Sequence, residues 1–169
     1  VRLQGVRESA QPSRVILDSS LQTPADARIL SLPGDVVIYH LADADTLKSQ
    51  ALRLAGVTLV EVPKASVAET GVDLQAVLKD LAGKEVNEVH VEAGAVLCGA
   101  LLAAGLVDEL VFYVAPHIMG DAARGLFHLP GITRMSEKMP LRIMDIRAVG
   151  DDWRIIARPE YEVHTTCRP

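Results

Sequence analysis

Val89-His90-Val91-Glu92-Ala93-Gly94-Ala95-Val96-Leu97-Cys98-Gly99-Ala100-Leu101-Leu102 decides the fold class. It predicts a short buried strand over Glu88 to Glu92 that ends on a carboxylate, turns on Gly94 and enters an apolar helix over Ala95 to Ala104. Such a turn sets Glu92 and the first unpaired helical amides at one edge of a sheet, where open α/β folds bind ligands. No Ser, Thr, Asp or Asn stands at the helix start to cap those amides. The place is therefore open to an anion or to a capping water. A glycine turn without the full dinucleotide-binding spacing does not choose between the two.

Outward from this stretch, strands and helices alternate. Arg14-Val15-Ile16-Leu17, Val36 to His40 and Val57 to Val62 predict strands. Thr23-Pro24 predicts a helix start, with threonine as cap and proline at the first helical position. Ala44 to Ala55 has helical spacing and stops at Gly56; Asp73 caps a helix whose apolar face is Leu74, Val77, Leu78 and Leu81, with Gly83 as its stop. Leu110 to Ala115 is a continuous apolar run and predicts a central strand. Leu141 to Val149 and Trp153 to Ala157 flank Gly150-Asp151-Asp152 as an antiparallel hairpin. The pattern predicts an α/β domain of three α/β/α layers, with a mixed, mostly parallel sheet and a C-terminal antiparallel hairpin. Residues 1–159 form the domain and 160–169 a frayed tail.

At 169 residues the chain holds one domain with a proper core. Aromatic residues are only 4%, which leaves no stacking platform for bases, and a net charge of -5 argues against a nucleic-acid surface. No window approaches a membrane span. The two cysteines make neither a disulfide framework nor a zinc pattern, which suits a cytoplasmic protein. The five histidines lack metal spacing, so no metal is expected. Neither a nucleophile elbow nor a Walker loop is present.

Two segments carry a resemblance. One is Arg14 to Ser19 with Leu21 and Thr23-Pro24. The other is Val91-Glu92-Ala93-Gly94 through Gly105-Leu106-Val107-Asp108-Glu109-Leu110, then Tyr113, Ala115-Pro116 and Gly120. Together they resemble the reductase domain of the bifunctional riboflavin-biosynthesis deaminase-reductase, within the dihydrofolate-reductase-like superfamily. The resemblance implies NADPH-dependent reduction of 5-amino-6-(5-phosphoribosylamino)uracil to its 5-phosphoribitylamino product, with hydride delivered to C1' of the opened ribose. It implies that Glu92 and Arg2 bind the substrate, Arg2 through its phosphate. Ser19, Gly94, Ala95, Val96, Leu97, Cys98, Gly99 and Ala100 are implied to bind the cofactor. Gly99 has a second explanation, close approach of the helix to the sheet. The resemblance assigns no catalytic side chain.

It further implies a homodimer and, in the parent protein, a preceding zinc deaminase domain, whose motifs are not in these residues. The chain begins at Val1 rather than Met. Relatives carry a first strand, a serine-leucine-aspartate-glycine stretch and a loop with paired aspartates ahead of Arg2, so the expectation is an N-terminal portion missing from this chain and little turnover by the fragment alone. Relatives also often carry two glycines where this chain has Ala93-Gly94, and lysine at the position of His117. Two rival readings keep the fold. One is a reductase of another pterin or pyrimidine; the other is a non-catalytic reductase-like domain kept for dimerisation.

Overall fold

The computed structural model describes residues 11–65, 71–120 and 122–161. They divide into two compact units, one up to Val89 and one from His90.

The first unit is built on a parallel sheet of β1 (Arg14–Leu17), β2 (Val36–His40) and β3 (Thr58–Glu61), in that order. Ile16 pairs with Ile38, and Ile38 with Leu59. Neighbouring residues of a strand point to opposite faces, and Ile38 and Tyr39 are both fully buried. Both faces of β2 are therefore covered, which is why its sequence is a continuous apolar run. On the Ile38 side, Leu52 of α1 (Thr46–Leu54) joins Leu21, Val36, Val57 and Leu59. On the other side, the Tyr39 hydroxyl donates to Asp80 of α2 (Leu74–Gly83) at 2.6 Å.

Both helices start on aspartates. Asp45 accepts from the amides of Leu47 and Lys48, and Asp73 from those of Gln75 and Ala76. Each carboxylate satisfies donors that the first turn leaves unpaired. α2 ends at Gly83 as expected, and the left-handed residue beyond it is Glu85, φ 63°.

The helix expected from Thr23 does not form; Arg28–Leu30 is a single 3-10 turn. The amide and hydroxyl of Thr23 both donate to Asp18, each at 2.7 Å. Its hydroxyl is thus a donor in a turn, not a helix cap. Two to four residues beyond the 3-10 turn, the carbonyls of Leu32, Pro33 and Gly34 accept from the Arg14 guanidinium, fixing the return into β2.

The second unit contains α3 (Ala95–Ala103) and an antiparallel sheet of β4 (Leu110–Val114), β6 (Asp152–Pro159) and β5 (Leu141–Val149), with β6 in the middle. β5 and β6 make the expected hairpin, with a bulge between Ile143 and Asp145. β4 is an edge strand among the described residues, not a central one. The tail is held at its start. The Tyr161 hydroxyl donates to the Val107 carbonyl and accepts from the Val107 amide, and the Glu160 amide donates to Pro140.

One further expectation fails. Residues 88–92 are not in a strand, and Val89 and Val91 are exposed. Alternating valines supply β propensity, but a strand exists only through its ladder. Among the described residues no strand pairs with this segment.

Candidate functional site

α3 is apolar on all sides, as a helix buried around its whole circumference would be. Gly99, Leu101 and Leu102 are buried, while Val96 near the start remains exposed. Gly94 is the N-cap residue, with φ −75° and ψ 168°. The first intrahelical bond runs from the Cys98 amide to the Gly94 carbonyl at 3.1 Å. The amides of Ala95, Val96 and Leu97 lie ahead of it, and among the described residues no side chain caps them. A Cβ placed on Gly94 would meet nothing within 4 Å. The positive end of the helix dipole, roughly half an elementary charge, thus faces open space at an exposed residue.

The other end of the first turns is closed. A Cβ on Gly99 would lie 2.0 Å from the carbonyl oxygen of His128. The His128 amide donates to the Ala95 carbonyl at 2.9 Å. Phe127 meets Phe112 of β4 edge to face, with centroids 6.1 Å apart. The segment around His128 is therefore held between α3 and β4, and Gly99 is where its backbone crosses the helix. The close approach foreseen at Gly99 is present, made by this segment rather than by a sheet strand.

Glu92 lies two residues before Gly94, its side chain 85% exposed, with its carboxylate oxygen 3.3 Å from Nε2 of His90. Glu92 and the Gly94 to Ala100 turn share the second unit and adjoin along the chain. Ser19 belongs to the first unit, just past the carboxyl end of β1, where its carbonyl accepts from Leu41. The left-handed Gly71 passes close beside it. Arg2 lies outside the described residues.

Next to Ser19 stands Asp18, a carboxylate within hydrogen-bond reach of the turn that follows β1. Burial pushes its carboxyl up, but hydrogen bonds from the Thr23 hydroxyl and the amides of Gln22, Thr23 and Ser20 outweigh this and hold it below the usual range. An ionised Asp18 thus fixes the turn that carries Ser19. Nearby, His40 at the end of β2 is buried, with Nδ1 2.8 Å from the Leu41 carbonyl oxygen. A carbonyl only accepts, so Nδ1 carries the proton. Among the described residues no three His, Cys, Asp or Glu side chains converge as metal donors, and no helix is long and apolar enough to cross a membrane.

Comparison with known proteins places this geometry. The model of the RibD C-terminal domain family matches residues 1–155. The riboflavin biosynthesis protein RibD of Escherichia coli is 34% identical over 142 residues, 84% of this chain and 36% of that protein. The 5-amino-6-(5-phosphoribosylamino)uracil reductase of Buchnera aphidicola is 30% identical over 149 residues, 88% of this chain and 68% of that protein. Among solved structures, Acinetobacter baumannii RibD superposes with a TM-score of 0.79 at 29% identity, over 95% of this chain and 42% of that one. The chain spans about a third of the length of the Escherichia coli relative. Matched by that family model over residues 1–155, the chain belongs to the RibD C-terminal domain family.

Proposed function

We propose that the chain is the reductase domain of a riboflavin-biosynthesis enzyme, reducing 5-amino-6-(5-phosphoribosylamino)uracil to the 5-phosphoribitylamino product with NADPH. The observation that carries this reading is the uncapped start of α3 two residues after Glu92, within a chain matched to the family over residues 1–155. Three free amides, an unencumbered Gly94 and the helix dipole suit a phosphate group, so the residues present fit the cofactor. Gly94 to Ala100 hold its phosphates and Ser19 makes a further contact to it. NADPH supplies the hydride; the protein aligns and polarises. Glu92 accepts hydrogen bonds from the N–H groups of the pyrimidine, and Arg2 holds the substrate phosphate. Residues 1–159 are the functional domain.

The same reading includes a homodimer, a cytoplasmic location and a zinc deaminase domain elsewhere in the parent protein. A free, half-buried thiol at Cys98 suits a reducing compartment. A solved relative from Thermotoga maritima, of which this chain covers 40%, is described as a combined deaminase and reductase.

The test is NADPH oxidation with the phosphoribosylaminouracil, using the protein at its natural length. Glu92→Ala removes a charged hydrogen-bond acceptor and lowers kcat/KM by roughly ten- to a hundredfold. Turnover equal to wild type would remove Glu92 from the site, and absence of any turnover by the natural protein would overturn the activity.

A further inference from the structure

The turn after β1 is held from several sides at once. Asp18 accepts at one carboxylate oxygen from the Gln22 amide at 2.8 Å, and at the other from the Thr23 amide and hydroxyl, both at 2.7 Å. Its carbonyl accepts from the Leu21 amide at 3.2 Å. Between these bonds Leu21 is left-handed, φ 53°, and fully buried in the core that holds Ile38 and Leu52. A leucine keeps that conformation only where its surroundings over-determine it, and such positions gather at ligand sites.

Ser19 and Ser20 both ride on this turn, and they differ. Ser20 is exposed, and its hydroxyl accepts from the Gln22 side-chain amide at 3.2 Å. Ser19 is half-buried, and its hydroxyl has no hydrogen-bond partner among the described residues. Its backbone is fixed by the Leu41 amide, which donates to its carbonyl at 3.1 Å. Its side chain stands against a wall. A Cβ on Gly71, φ 77°, would lie 3.1 Å from the Ser19 Cβ and 3.2 Å from its Oγ. Gly71 is itself anchored: its carbonyl accepts from the Ala65 amide at 3.2 Å, and the next residue, Val72, is fully buried. Glycine alone both takes the left-handed backbone readily and leaves this room.

We infer that Asp18 and Gly71 are positioning residues for the cofactor: the Asp18 carboxylate, through Gln22 and Thr23, and the bare Cα of Gly71 hold the free Ser19 hydroxyl ready for NADPH. The inference rests on the reading above that Ser19 contacts the cofactor, and it adds what makes that contact strong. A serine on a loose turn gives up backbone and side-chain freedom when it binds. One already fixed gives up little, so the same hydrogen bond yields more affinity. Asp18 and Gly71 act through Ser19 and need no contact with the ligand.

Equilibrium titration with NADPH, on the protein at its natural length, tests it, with far-UV circular dichroism as the check on folding. Asp18→Asn keeps the shape but turns an NH2 group toward donors, so it can hold Gln22 or Thr23 and not both. It is expected to weaken NADPH binding by about five- to tenfold. Gly71→Ala, which crowds Ser19, is expected to do the same. Thr23→Val removes only the hydroxyl bond and is expected to cost about threefold, while Thr23→Ser restores wild-type affinity. The Thr23 pair carries the test alone if Asp18→Asn does not fold. The decisive readout is the cycle with Ser19→Ala: once the hydroxyl is gone, each of these losses should shrink to less than about twofold. Losses of unchanged size in the Ser19→Ala background would mean that the turn merely supports the domain, and would overturn the positioning role. Wild-type affinity in folded Asp18→Asn, Gly71→Ala and Thr23→Val would overturn it too, and both results leave the Ser19 contact standing. Ser19→Ala binding NADPH as tightly as wild type overturns that contact, and the inference with it.

Discussion

Gly99→Ala separates two physical effects of opposite sign. In an open helix, alanine at this position would stabilise by about 1 kcal/mol, the propensity difference from glycine. In α3 the new Cβ would fall 2.0 Å from the His128 carbonyl oxygen and 2.8 Å from its carbonyl carbon. Ordinary contact distances begin near 3.4 Å, so the segment must retreat by more than 1 Å. The atoms in the way are backbone, which cannot rotate aside as a flexible side chain would. Retreat strains or breaks the bond from the His128 amide to Ala95, worth about 1 kcal/mol, and loosens Phe127 from Phe112. With about 1–3 kcal/mol for overpacking, the net effect after the propensity gain is a loss of about 2 kcal/mol. In a chain of this size that is a fall in melting temperature of roughly 4–8 °C. Thermal and urea unfolding followed by circular dichroism measure it. A variant more stable than wild type by the full propensity gain would refute the crossing of His128 over α3.

Other substitutions test other parts. Gly94→Asp introduces a good N-cap and should raise stability by a few tenths of a kcal/mol, while its carboxylate weakens NADPH binding by about tenfold or more; equal affinity in a ligand titration would remove Gly94 from the cofactor site. Tyr39→Phe deletes the hydroxyl bonded to Asp80, which Lys84 still pairs, and should cost about 1–2 kcal/mol in urea unfolding; no change would show that bond to be idle. Hydrogen bonds from Lys84 and Tyr39 hold the Asp80 carboxyl below its usual 3.8, and Asp18 is also held low. Each contributes stability that is present above 3.8 and lost as pH falls through the lower folded value. Acid titration of stability should therefore be less steep in Asp80→Asn, and an identical profile would refute the linkage.

What could be read from sequence divides by the range of the interaction. Asp73 was legible as a helix start because a cap acts on amides two and three residues ahead, here Gln75 and Ala76. The β5–β6 hairpin was legible because its turn and its alternation are adjacent in the chain. Thr23 misled because the same hydroxyl that can cap a helix can instead donate to Asp18, and sequence gives no measure of which wins. The valines before Glu92 misled because a strand depends on its neighbour in space. Gly99 was recognisable as a close approach, but its partner, His128, lies far along the chain. The grip of Arg14 on three carbonyls near Gly34 left no local pattern to find. At the site, the open start of α3 was readable from missing cap residues.

The local rules fail together in one place, and that concentration is itself informative. α1 and α2 each begin on an aspartate that accepts two amides. α3 begins on Gly94 with no side-chain cap among the described residues and carries Gly99 in its interior. A glycine in place of a capping aspartate costs a few tenths of a kcal/mol, and an interior glycine about 1 kcal/mol. Neither loss is needed to form the helix, since alanine at 99 and aspartate at 94 would each favour it locally. The structure accounts for Gly99 through the His128 crossing, which anchors the helix. It offers no packing reason for Gly94, where a side chain would meet open space. A position that could take a cap without steric penalty, yet leaves three amides exposed, is the pattern expected where local stability has been traded for a ligand. That contrast with α1 and α2 is the physical ground for the proposal that cofactor phosphates bind at Gly94.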